Sequence, residues 1–319
     1  MKYRKSEAKA YAKQHIKGVW VASVTPFTAD YKIDEEGIRQ NIRHCIDNLQ
    51  IDGMFLNGLV GEGFNQSMAE RKRVFTIVVE ESKGDMTIMP YTSDLALENV
   101  VEMSRYAEEI GADYVTIINP KFYYGSMMTD EGVFQYYKYI ADRVNIGIVL
   151  FNNIDSGYLM SPPLIDRIAN IENVVGIKDI AAATHILRTR TLCGEKIVVS
   201  DAIEENWLMN LTVRGQEAYI ATAIPFCLQS KKLKLIKEYT DLASKGELAK
   251  AWEAYRRLEP FRRALESVTP PGKVHATFKY WTQFLGMAGG DGRVRLPLQE
   301  LTEPEKRAIK AAVETTGLI

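Results

Sequence analysis

The sequence predicts an α/β protein: a parallel (β/α)8 TIM barrel with a C-terminal helical extension. Three observations point there. Eight short apolar runs are strung along the first 223 residues, and six of them are rich in Val, Ile, Leu or Phe without clean polar alternation. Strands buried on both faces read that way. Helical patterns separate the runs, and from residue 229 onward the pattern is helical throughout. Eight strands alternating with helices fit a closed barrel better than a shorter doubly wound sheet.

Taken in order, the runs are GVWVASV (18–24), DGMFLNG (52–58), TIMPYTS (87–93), DYVTIIN (113–119), IGIVLFN (146–152), VVGIKD (174–179), KIVVSD (196–201) and EAYIATA (217–223). Residues 1–16, MKYRKSEAKAYAKQHI, are basic but carry no apolar core segment and no small-residue cleavage site. They read as a short helix packing on the barrel or on a neighbouring subunit, rather than as a transit peptide. Between the first two runs, Ile38, Ile42, Cys45, Ile46 and Leu49 fall on one helical face. Thr129 or Asp130 caps a helix carrying Phe134, Tyr137 and Ile140. Ser161 followed by Pro162 and Pro163 is a helix start, with the serine as cap and proline in the first turn. The barrel is therefore placed at 17–228. Residues 229–319 form appended helices, with a break at Pro260 and a turn at AGGDGR before RLPL.

Composition removes several function classes. Forty basic residues balance 41 acidic ones, so a general nucleic-acid or acidic-membrane binder is not expected. No apolar run is long enough to span a bilayer. The cysteines, Cys45, Cys193 and Cys227, are odd in number and lack metal or redox spacing, which suits a reducing cytoplasm. His15, His44, His185 and His275 form no HxH or HExxH pattern, and no phosphate-binding glycine motif occurs. A metal site is therefore not expected.

In such barrels the chemistry gathers at the C-terminal ends of the strands. Lys178 ends the run Val174-Val175-Gly176-Ile177. An ammonium there must be paired or lose its proton. It is either a carbonyl-directed nucleophile or the partner of an acid such as Asp179 or Asp201. Gly58-Leu59-Val60-Gly61-Glu62 follows the second strand. Its glycines let backbone N–H groups approach a carboxylate closely, or they simply make a βα turn. Tyr123 and Tyr124 are either active-site phenols or loop packing. Asp201, Glu204, Glu205 and Thr222, at later strand ends, are placed to read polar groups on the distal part of a substrate, although the two glutamates also suit a helix start.

The ordered segments GVWVASVTPF, GLVGEGFNQSMAER, GIKD and RLPL resemble the dihydrodipicolinate synthase / N-acetylneuraminate lyase family, from about residue 17 to residue 300. The GLVGEGFNQS loop is closer to the sialic-acid-lyase version. The resemblance implies a cofactor-free lyase, a homotetramer, that holds a pyruvate-type 2-oxo acid as a Schiff base on Lys178. It also implies that backbone N–H groups at Gly58, Leu59 and Val60 hold the carboxylate. The departures are specific. Where the family has a tyrosine in Y-N-x-P, this chain has Phe151-Asn152-Asn153-Ile154, and no arginine follows in Asp155-Ser156-Gly157. Leu59 and Val60 replace the loop hydroxyls. The chain is thus expected not to be a true dihydrodipicolinate synthase. Tyr123 or Tyr124 is expected to replace the missing phenol, followed by a water held by Asn152 or by the substrate's own carboxylate. A dehydratase or deaminase of a 2-oxo sugar acid using the same iminium, and a non-catalytic 2-oxo acid-binding paralogue, are the alternatives.

Overall fold

The computed structural model describes residues 1–120, 128–153 and 156–319. All eight apolar runs become strands: β1 Gly18–Ala22, β2 Gly53–Leu56, β3 Thr87–Pro90, β4 Tyr114–Ile118, β5 Gly147–Asn153, β6 Val174–Ile180, β7 Val198–Asp201 and β8 Ala218–Ile220. Every pairing is parallel. Two ladders form, β3-β2-β1-β8 and β4-β5-β6-β7. The seam between β3 and β4 carries a single bridge, Tyr91 to Thr116. A serine stitches each seam: Ile118 N–H donates to Ser93 Oγ, and Ile220 N–H donates to Ser200 Oγ, both at 2.8 Å.

Helices cover the outside. The barrel helices are α1 Ala8–His15, α2 Glu35–Arg43, α3 Met68–Ser82, α4 Leu97–Glu109, α5 Asp130–Ala141, α6 Pro162–Ile168, α7 Ala183–Cys193, α8 Glu204–Thr212 and α9 Ile224–Cys227. The expected caps are in place. Thr129 accepts from Gly132 N–H and Ser161 from Leu164 N–H, each satisfying one otherwise orphaned donor. The apolar face through Leu49 is helical, but its last six residues follow a π turn. The appended helices are α10 Leu235–Ser244, α11 Leu248–Arg256, α12 Glu259–Val268, α13 Val274–Gln283 and α14 Glu303–Thr316. They share one hydrophobic cluster with β1, β2, α2 and α3.

The N-terminal segment is built into the barrel floor. Tyr3 Oη donates to Asp113 O and accepts from Gly147 N–H. Lys5, Lys9 and Lys13, one helical turn apart, donate to Ala141 O, Ala169 O and Glu195 O. Ala141 and Ala169 lie at the ends of α5 and α6, where unpaired carbonyls and the helix dipole favour a cation. None of the described helices is long and apolar enough to cross a membrane.

Inside the barrel, Trp20, Tyr114 and Val175 fill the lower layers, while Phe55 and Phe151 pack higher. The β5–β6 register shifts between Ile148 and Val149, leaving Val175 unpaired between Val174 and Gly176. Side chains on a regular strand alternate faces, so residues three apart should point apart. The bulge lets Val175 and Lys178 both face inward. Gly176 sits within it, where a Cβ would come within 3.2 Å of Val198 O.

Candidate active site

Lys178 ends up inside, at the mouth end of β6, and is 1% exposed. Its Nζ donates to Ala221 O at 2.5 Å. It lies 4.7 Å from the ring centre of Phe55 and 5.4 Å from that of Phe151. The acid-paired alternative is not realised, since no described carboxylate forms an ion pair with it. Burial alone brings the amine down to about 7 from its ordinary 10.5, because a charged ammonium loses its hydration there. An amine in this state is nucleophilic near neutral pH.

The Gly58–Glu62 loop is shaped from within. The carbonyl of Gly58 accepts from Gly63 N–H, that of Leu59 from Glu62 N–H, and that of Gly61 from Thr25 Oγ1 and Gln66 Nε2. His275 Nε2 lies 3.0 Å from Leu59 O and, as the N–H tautomer, donates to it. The N–H groups of Leu59 and Val60, by contrast, donate to no acceptor among the described residues. Filled carbonyls beside open N–H groups make a local site for an anion. Gly58 has a packing reason to be glycine: a Cβ would sit 2.4 Å from the tip of the Phe55 ring.

A buried ion pair fixes this loop to the appended helices. Glu62, with φ of 56°, pairs with Lys279 of α13, and both side chains are fully buried. Lys279 Nζ also donates to Arg293 O, and Glu62 Oε2 accepts from Arg295 N–H. The RLPL segment seen in the sequence thus braces the loop. Arg295 reaches on to Glu70, which closes the capping box of α3 with Ser67.

A cavity of about 400 Å³ opens beside the loop at the β2–β4 mouth, lined by Leu59, Phe64, Arg71, Tyr91, Ile118 and Asn119 among others. Lys178 is not on its wall; the amine packs against Phe55 and Phe151. Tyr91, in the third apolar run, was not singled out by the sequence. It packs with the interior cluster and meets Phe55 edge-on, ring centres 6.0 Å apart.

Other expected residues are placed differently. Asn152 follows the inward Phe151 and so faces outward. Its amide is occupied by Met160 N–H, Met160 O and Asp179 Oδ1. It is therefore a strut between strands and does not hold a water over Lys178. Asp201 accepts from Ile203 N–H, Asn206 and Asn210, so its carboxylate is committed to the start of α8 rather than to a substrate. Glu204 is buried against Arg262 and Tyr239. Thr222 is half-buried at the end of β8, with Oγ1 weakly accepting from Ile224 N–H at 3.4 Å. Tyr123 and Tyr124 lie outside the described residues. Behind Lys178, burial raises the Asp179 carboxyl to about 7, with the Asp201 charge adding to it. His185 Nε2 stands 3.8 Å from Asp179 Oδ2, too far for a hydrogen bond. No group of three His, Cys, Asp or Glu side chains among the described residues is placed to hold a metal ion.

The barrel and its mouth place the protein among the aldolase-type lyases of the (β/α)8 class. Residues 15–316 match the Dihydrodipicolinate synthetase family, and the chain belongs to it. It is 29% identical over 308 residues to the 4-hydroxy-tetrahydrodipicolinate synthase of Methanopyrus kandleri, covering 95% of this chain and 97% of that one. It is 27% identical over 290 residues to the N-acetylneuraminate lyase of Clostridium perfringens, covering 90% and 95%. The dihydrodipicolinate synthase structure from Thermotoga maritima superposes with a TM-score of 0.81 at 26% identity, covering 96% of this chain and 100% of that one. Both the fold class and the family expected from the sequence are thereby borne out.

Proposed function

We propose that the protein is a Schiff-base lyase of 2-oxo acids, with Lys178 as the nucleophile. The carrying observation is the Lys178 amine: buried, without a carboxylate partner among the described residues, and brought to about 7 by its surroundings. The neutral amine adds to C2 of the acid, and loss of water leaves an iminium. The iminium draws electrons from C3, so a bond from C3 to C4 breaks or forms. The open N–H groups of Leu59 and Val60 hold the C1 carboxylate and fix the reacting geometry. No metal or organic cofactor takes part, and the working form is a cytoplasmic homotetramer.

Borohydride added with pyruvate tests this. One adduct is expected, on the peptide carrying Gly176-Ile177-Lys178-Asp179. Its rate should rise with pH through about 7, because only the unprotonated amine attacks. An adduct elsewhere with Lys178 untouched sinks the mechanism. No adduct at any pH, with pyruvate still bound, favours the binding paralogue.

Dihydrodipicolinate synthase activity is not part of the proposal. Phe151 has no phenolic proton, and no arginine follows it in Asp155-Ser156-Gly157. Incubation with pyruvate and aspartate semialdehyde is expected to give no efficient condensation, and an efficient one would refute this.

A further inference from the structure

Phe151 leaves the Lys178 amine without a phenol on the adjacent strand, and the fold supplies one from β3. Tyr91 follows the last residue of that strand, and its ring joins the same interior cluster as Phe55 and Phe151. Phe55 links the two groups: Tyr91 meets it edge-on at 6.0 Å, and Lys178 Nζ lies 4.7 Å from its ring centre. Tyr91 and Leu59 line the same cavity, and among the described residues on that wall Tyr91 is the sole phenol. The base of its side chain is held on both sides. Tyr91 N–H donates to Leu56 O at 2.9 Å, and the buried Arg71 donates to Tyr91 O at 2.7 Å. Leu59, which would anchor C1, and Tyr91 face each other across that cavity's lining, so the C2 carbonyl of an acid held there lies on the Tyr91 side of the loop.

We propose that Tyr91 is the acid–base residue of the Lys178 chemistry. The inference rests on the Schiff-base reading above. As Lys178 Nζ bonds to C2, the carbonyl π pair moves to oxygen, which takes the Tyr91 proton. The phenolate then removes a proton from the new ammonium, giving a neutral carbinolamine and a restored phenol. In the second stage the nitrogen lone pair expels the hydroxyl, which leaves as water with the Tyr91 proton. The products are an iminium cation, a phenolate and water, balanced in charge and atoms. The phenolate is then poised to take a hydroxyl proton from the distal part of a substrate as C3–C4 breaks. Burial raises the Tyr91 phenol above its ordinary range, which keeps it protonated for the first transfer.

The test is the rate of pyruvate trapping at Lys178 by borohydride, followed by mass. Tyr91→Phe is expected to slow it by 10²-fold or more, with the melting temperature unchanged. Should that variant fold poorly, 3-fluorotyrosine placed at Tyr91 keeps ring and hydroxyl but makes the phenol more acidic. It is expected to move the high-pH limb of the trapping profile to lower pH. Wild-type trapping rates in Tyr91→Phe, or an unmoved profile with the fluorinated residue, overturn the proposal. So does a comparable loss in Tyr123→Phe or Tyr124→Phe with Tyr91→Phe silent. Failure of the wild type to trap at Lys178 overturns the Schiff-base reading itself, a separate result.

Discussion

Lys178→Met is expected to raise the stability of the folded chain while abolishing adduct formation with pyruvate. The amine is charged up to pH 10.5 in the unfolded chain and neutral above about 7 in the folded one. Between those values the unfolded state holds the extra proton, so wild-type stability rises with pH by about 1.4 kcal/mol per unit. Methionine does not titrate. The variant's advantage should therefore be greatest at pH 7 and below, and shrink steadily toward pH 10.5. The opposing loss is the hydrogen bond to Ala221 O, whose orphaned carbonyl costs about 1–3 kcal/mol. A net gain on the order of 2–4 kcal/mol at pH 7 remains. Urea unfolding of both proteins at pH 7 and pH 9.5 decides it. A constant difference across that range would show that the amine is not neutral in the folded state.

The second buried lysine is expected to behave in the opposite way. Lys279→Ala leaves Glu62 buried with its ion-pair partner gone, and such losses cost about 3–5 kcal/mol. The damage should reach function too, since Glu62 closes the loop whose N–H groups are open at Leu59 and Val60. A raised KM for pyruvate with the Lys178 adduct still forming is the expected signature. Pairing Lys279→Met with Glu62→Gln removes both charges and should restore most of the stability. If Lys279→Ala melts within a degree of the wild type, the pair is not a brace. Both lysines lie against aromatic rings and donate to a carbonyl; among the described residues only Lys279 has a carboxylate against it as well.

The sequence carried the strands well, because doubly buried strands leave dense short apolar runs whose length and flanking turn residues set them apart from buried helix segments. All eight runs hold a strand, and the caps at Thr129 and Ser161 were legible because capping is a local signal. Lys178 was also legible, as a cation terminating an apolar run. What failed was facing. Asn152 and Asp201 were placed correctly at strand ends, but a strand end has an inner and an outer side. Asn152 adjoins the inward Phe151, and period-two alternation alone would have turned it outward. Around β6 that same rule would have misled, because the bulge at Gly176 breaks it. The Glu62–Lys279 pair spans 217 positions and leaves no local trace beyond a charge within the apolar face of α13. Tyr91 stands at a strand end, where chemistry is expected to gather, but nothing local separates it from the other strand-end residues.

The two serine-stitched seams divide the barrel into two staves of four strands each. A cylinder hooped by continuous ladders resists widening equally all round. This one has joints, and a side-chain hydroxyl stretches or swings more readily than a backbone rung. One joint, between β3 and β4, opens at its upper end onto the cavity, with Tyr91 on one lip and Ile118 on the other. The interrupted ladder therefore lies on the Tyr91 side of the mouth, bridged there by Thr92 N–H to Thr116 O and by the Ser93 hydroxyl. The floor below is held shut across the ends of α5, α6 and α7 by Lys5, Lys9 and Lys13. The molecule is jointed toward its rim and riveted at its base.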